Sequence, residues 1–274
     1  MNKDQETRES KYDRPQLSEL FERNSDWFTS LDVACVDLTH LKEFKFNFKN
    51  LSTLSFGRHT KGWRRFASSM IGQSANTLTS LRLSGFSFLA PKDEEDTVLS
   101  LENKLPNLTH LTLKEFKKNT QINTHILPEL VNKCCSNLKY LSLEDVAFFV
   151  DEIALMPKLE KCYVKGIPYP QFQALCHKMP NLRELEIGEL KRVDEYDEGL
   201  DKSLRMPRLE SLKIFDDNVA MSNKLIIFGL RIAEASLKDV YVYSGECAMY
   251  CRNFMQFRPN IKMHEIELPN QLED

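Results

Sequence analysis

Apolar residues recur along this chain in one arrangement. An apolar position is followed by two variable residues, a second apolar position, one variable residue and a third apolar position. It reads Leu51-Leu54-Phe56, Leu78-Leu81-Leu83, Leu108-Leu111-Leu113 and Leu138-Leu141-Leu143, then Leu159-Cys162-Val164, Leu182-Leu185-Ile187, Leu209-Leu212-Ile214 and Leu237-Val240-Val242. A weaker ninth copy is Ile261-His264-Ile266. Successive copies begin between 21 residues apart (Leu138 to Leu159) and 30 residues apart (Leu78 to Leu108). The last two apolar positions of a copy lie two residues apart, so a strand points both to one face and the residues around them to the other. One strand cannot bury such a face alone. Parallel strands stacked from successive copies make a continuous core. Each parallel step needs a crossover of about a dozen residues, usually a helix. The spacers offer helix-like stretches at Trp63 to Ile71, Ile126 to Cys135, Phe172 to Met179 and Leu225 to Ala235.

A second signal marks where those helices stop. Leu105-Pro106-Asn107, Met156-Pro157-Lys158, Met179-Pro180-Asn181, Met206-Pro207-Arg208 and Arg258-Pro259-Asn260 all precede a strand. Proline lacks an amide hydrogen and disfavours helix in the residue before it, so each helix ends at the same point of the repeat. The copy at Leu138 has Cys135-Ser136-Asn137 in that place.

Repeats ending in Pro-Asn-Leu-x-x-Leu-x-Leu resemble the leucine-rich repeats of the ribonuclease-inhibitor-like superfamily, and are most similar to those of F-box/leucine-rich-repeat proteins. The resemblance covers about residues 51 to 268. It implies an α/β leucine-rich-repeat solenoid of eight to nine irregular repeats, with a curved parallel sheet on the concave side and helices on the convex side. It also implies a protein partner on the concave face and, through the F-box relatives, ubiquitin-ligase components. Two departures stand out. The Asn or Cys usual eight residues after the first leucine is replaced by Phe86, Phe116, Val146, Ile167, Leu190 and Asp217. Residues 1 to 50 contain no Leu-Pro-x-Glu-like F-box start. The expected organisation is a disordered tail over 1–16, an N-terminal cap over 17–50, the solenoid over 51–268 and a polar tail over 269–274. Leu41-Phe44-Phe46 also fits the strand pattern, either as a cap strand or as part of a hairpin.

The variable strand positions are where such an architecture meets solvent. In the first copies they are small and polar. From the fourth copy onward Tyr140, Tyr163, Phe215, Tyr241 and Tyr243 appear among Lys161, Glu184, Glu186, Lys213 and Asp239. Aromatics with polar tips dominate protein interface hot spots. These ten residues are therefore the candidate partner-binding set. The competing account is ordinary strand surface, since tyrosine favours strands in any case. His110 is the one histidine expected on that face, and His264 is expected in place of a core leucine.

Composition narrows the function. A net charge of -3 with only short basic runs, Arg64-Arg65 and Lys117-Lys118, argues against nucleic acid as partner. The polar first eleven residues lack a secretory signal, and the longest apolar stretch, near Leu225 to Leu230, is far short of a membrane span. Seven scattered cysteines read as reduced thiols in the cytoplasm or nucleus. The sequons at Asn50 and Asn107 then read as chance matches. The acidic clusters Asp93 to Asp96 and Asp194 to Glu198 read as solvated loops or helix starts, with contact to a basic partner as the alternative. Cys247 and Cys251 lack the second ligand pair that a structural zinc site needs. No cofactor is expected, because no phosphate loop or catalytic set can be assembled. A non-catalytic protein-binding module is the expectation, and a structural subunit of a larger assembly is the rival.

Overall fold

A computed structural model describes residues 14–33, 47–57, 63–84, 104–115, 121–146, 148, 150–191, 203–215, 219–233, 235–243, 249, 252 and 258–266. Its strands are β1 (Ser30–Val33), β2 (Thr53–Phe56), β3 (Ser80–Ser84), β4 (His110–Lys114), β5 (Tyr140–Glu144), β6 (Lys161–Lys165), β7 (Glu184–Ile187), β8 (Ser211–Ile214), β9 (Asp239–Tyr243) and β10 (Lys262–Ile266). They form a ten-stranded, all-parallel sheet in sequence order, so every strand pairs only with its neighbours along the chain. The helices are α1 (Arg14–Asn24), α2 (Trp63–Gln73), α3 (Gln121–Cys134), α4 (Tyr169–Cys176) and α5 (Val219–Ile232). This is an α/β architecture compatible with a solenoid.

The apolar triplets explain the register. Leu81 pairs with Leu111, Leu111 with Leu141, Leu141 with Cys162 and Cys162 with Leu185. The third positions align likewise, Leu83 with Leu113 and Leu143 with Val164. All are buried and join one core with the inner residues of the helices, such as Ala67, Met70, Leu130, Phe172, Leu175, Leu225 and Phe228. Each fully buried leucine contributes roughly 1.5–3 kcal/mol relative to an exposed one. Val146, Ile167 and Leu190, which occupy the expected Asn/Cys position, are also buried. Apolar packing there replaces an amide ladder.

A side-chain ladder exists instead at the entry to the strands. In several repeats the residue just before the first leucine reaches back to the preceding repeat. Asn50 Nδ2 donates to Asp26 O, Asn107 Nδ2 to Asn76 O, Asn137 Nδ2 to Pro106 O and Asn181 Nδ2 to Pro157 O. Thr77 Oγ1 donates to Lys49 O, and Lys158 Nζ donates to Asn137 Oδ1. Among the described crossover helices only α4 is followed by such a proline, Pro180, and α2, α3 and α5 end without one. Where proline occupies this turn, as at Pro106 and Pro157, its carbonyl remains an acceptor for the next repeat. The asparagines of both sequons are thereby engaged in the turn ladder.

The sheet begins before the Leu51 triplet. β1 pairs with β2, Leu31 beside Leu54 and Val33 beside Phe56. Phe28-Leu31-Val33 is a further copy of the spacing, inside the stretch expected as a cap. Phe21 and Phe28 of this end pack on Phe48, with ring centroids 5.7 and 6.5 Å away. α1 starts at Arg14, within the expected tail, and carries Pro15 in its first turn, where a missing amide hydrogen costs little.

The last repeat corrects the reading of Ile261-His264-Ile266. In β10, Met263 pairs with Val240 and Glu265 with Val242, while Lys262, His264 and Ile266 pair with Asp239, Tyr241 and Tyr243. The strand is shifted by one residue, so every side chain changes face. The shift turns Met263 toward the core and frees the imidazole from a site where it would lack a partner.

Leu41-Phe44-Phe46, both acidic clusters, Lys117-Lys118, the Cys247 to Cys251 pair and the 269–274 tail lie outside the described residues, as do the side chains of Arg64 and Arg65.

Candidate interaction face

Alternation places the variable strand residues opposite the helix-bearing side of the sheet. Across β3 to β10 they are mostly half-buried or exposed, Ser142 being buried. Nine of the ten candidate residues lie in β5 to β9 and on this open face. Phe215 follows β8 directly, one residue past Ile214, which pairs with Val242, and so stands next to Tyr243. Its amide donates to Ile187 O at 2.7 Å, continuing the strand hydrogen bonds.

Register makes neighbours of residues far apart in sequence, and the charges prove to be paired. Lys161 sits beside Glu184 and Glu186 beside Lys213, with Nζ to carboxylate distances of 2.8 and 2.6 Å. Glu144 lies between Lys114 and Lys165, at 2.9 and 3.2 Å. Burial opposes its charge, but the two ammonium groups outweigh that and hold its carboxyl below the ordinary range. The hydrogen bond to Glu186 raises the ammonium of Lys213 above its usual value, against partial burial. Such exposed pairs contribute little apiece, at most about 1 kcal/mol, but they fix which groups remain for a partner.

Aromatic rings fill the space between. Tyr163 stands between Glu144 and Glu186; burial first, then those carboxylates, push its phenol up to about 12. Lys213 Nζ lies 5.7 Å from the centroid of the Tyr241 ring. Tyr241 stacks on His264 at 4.4 Å, and His264 Nε2 is 2.9 Å from Asp239 Oδ1. His110 and Tyr140 pack with centroids 5.8 Å apart. Two residues are thus added to the candidate set by the shift in β10. His264 and Ile266 join Phe215, Tyr241 and Tyr243 in one aromatic and apolar patch over β8 to β10.

Just beyond the strand ends the backbone turns left-handed at one repeat position. Glu115 has φ 59°, Asp145 52° and Gly166 67°. The turn lets each amide reach the next repeat, Glu115 N to Glu144 O, Asp145 N to Lys165 O and Gly166 N to Glu189 O. Asp145 also holds Lys191 at 2.7 Å.

Among the described residues, no cluster of three or more His, Cys, Asp or Glu could hold a metal ion, and no helix is long and apolar enough to cross a membrane. Cys134, Cys162 and Cys176 are free, buried thiols, and burial raises the thiol of each well above its usual value, Cys134 and Cys162 to about 12. No family model matches the chain, and neither a curated protein nor a solved structure does.

Proposed function

We propose that this chain is a non-catalytic, leucine-rich-repeat binding protein whose protein partner lies across the concave, open side of the sheet. The observation that carries the reading is the aromatic patch over β8 to β10, where five ring or aliphatic side chains meet on a face that no described helix occupies. These side chains are half-buried, and aromatics grouped on an open face are the usual anchors of a protein interface. The self-paired charges around them give a polar rim that excludes water without adding a buried lone charge. Substitution of Tyr163, Phe215 and Tyr241 together by alanine abolishes partner capture and leaves the melting temperature within a few degrees. Unchanged capture rejects the placement.

A substrate-receptor role like that of F-box/leucine-rich-repeat proteins is the narrower form of this reading. Co-immunoprecipitation that recovers cullin-ligase subunits supports it, and their absence from an otherwise enriched sample rejects it. The second reading, a structural subunit, draws on Trp27 and Leu20 at the N-terminal end, 82% and 48% exposed. It takes over if Trp27→Ala disrupts assembly while the triple-alanine variant does not.

A further inference from the structure

Charge and apolar character are segregated along the open face. At the strand positions of β3 to β6, four cations (Arg82, Lys114, Lys161 and Lys165) stand against one carboxylate, Glu144. Beyond the strand ends Asp145 is matched by Lys191, and Glu115 lowers the excess by one. Glu184 on β7 holds Lys161 at 2.8 Å, so the zone keeps an excess of one cation, in a chain whose net charge is -3. The apolar patch follows on β8 to β10. From β5 to β9 there are four strand spacings, about 19 Å at roughly 4.8 Å each. An extended peptide covers that in about six residues.

We infer that the partner presents an extended acidic segment that crosses the strands. An apolar or aromatic side chain seats against Phe215, Tyr243 and Ile266, and a cluster of carboxylates about six residues away meets the lysines of β4 to β6. This rests on the open face being the binding face. Lys114 and Lys165 share Glu144, so each ammonium keeps donors for an incoming carboxylate. A nucleic-acid strand suits the face poorly. Its evenly spaced phosphates would have to pass Glu184 and Glu186 on β7.

Selection of a random 16-residue peptide display library on the full chain tests this. The expected winners carry Asp or Glu clusters with an apolar residue about six positions away. Binding of a synthesised winner weakens at least tenfold in the Lys114→Gln, Glu144→Gln, Lys165→Gln variant, which leaves no lone carboxylate, and its salt dependence falls with it. The Tyr243→Ala, Ile266→Ala variant also weakens binding but keeps the salt dependence. Melting curves confirm that both variants fold. Winners that are neutral or basic, an empty selection, or tighter binding of a duplex oligonucleotide overturns the inference. If such neutral or basic winners are still lost on the triple-alanine variant, the binding face stands and only the acidic chemistry falls. If neither face variant affects any winner, the face itself is wrong.

Discussion

Gly166 offers a measurement of how tightly successive repeats are locked at the strand exits. Its φ of 67° is a conformation that costs an L-residue roughly 1–2 kcal/mol. Space compounds the cost. A Cβ at Gly166 would lie 2.2 Å from Asp145 Oδ1 and 2.7 Å from Asp145 Cγ. The carboxylate must swing away, and it then releases Lys191, an exposed pair worth under about 1 kcal/mol. Gly166→Ala should therefore destabilise the protein by about 2 kcal/mol. In an Asp145→Gly background the obstruction and the ion pair are already gone, and only the left-handed backbone remains, at about 1 kcal/mol. The difference, about 1 kcal/mol, is a coupling energy that a double-mutant cycle in urea reads directly. The four midpoints, with equal denaturant slopes, give it. Equal costs in the two backgrounds would refute the contact, and no cost in either would refute the left-handed turn.

Tyr163 and Asn137 give two further measurable outcomes. The phenol of Tyr163 is raised from 10 to about 12, so its folded form binds a proton that the unfolded chain releases. Its contribution to stability is complete below pH 10 and disappears as the pH rises through 12. Burial also pushes the phenol of Tyr169 up to about 12, so ultraviolet titration should show at least two tyrosines fewer ionising near pH 10 in wild type than after urea, and Tyr163→Phe should reduce that difference by one. In the turn ladder, Asn137→Ala removes the bond to Pro106 O and the acceptor of Lys158. At a partly exposed site the loss is about 1 kcal/mol. A chemical melt that finds Asn137→Ala indistinguishable from wild type would deny the ladder any role.

Much of the sheet can be read from the triplets, because a period of two and a parallel neighbour leave little freedom once one face is apolar. β2 to β9 form at the places the triplets mark, and four of the helices form around the helix-like spacers, α2 to α5. The ends are harder. Phe28-Leu31-Val33 and Leu41-Phe44-Phe46 both fit the spacing, and sequence alone does not choose the one that pairs with β2. At the other end Pro259 suggests that Ile261 opens the triplet, but Lys262 rather than Met263 pairs with Asp239, one residue out of step. No further repeat packs on β10 among the described residues, so the inward row there is weakly specified. Stacking on Tyr241 and the bond to Asp239 settle His264 on the open side. The charge pairs, Lys161 beside Glu184 and Glu186 beside Lys213, become visible only when variable positions are compared across neighbouring strands. The turn asparagines carry a structural role that the Pro-Asn-Leu motif by itself does not disclose.

Strand order that follows chain order has a mechanical consequence. Tension applied to the two termini does not shear the sheet as a whole. It peels one rung at a time from whichever end is weaker, because none of the described strands is stitched to a distant one. Extension should thus proceed in a series of small, similar steps, with the poorly filled β10 yielding first and the rest of the stack still able to hold whatever rests on it.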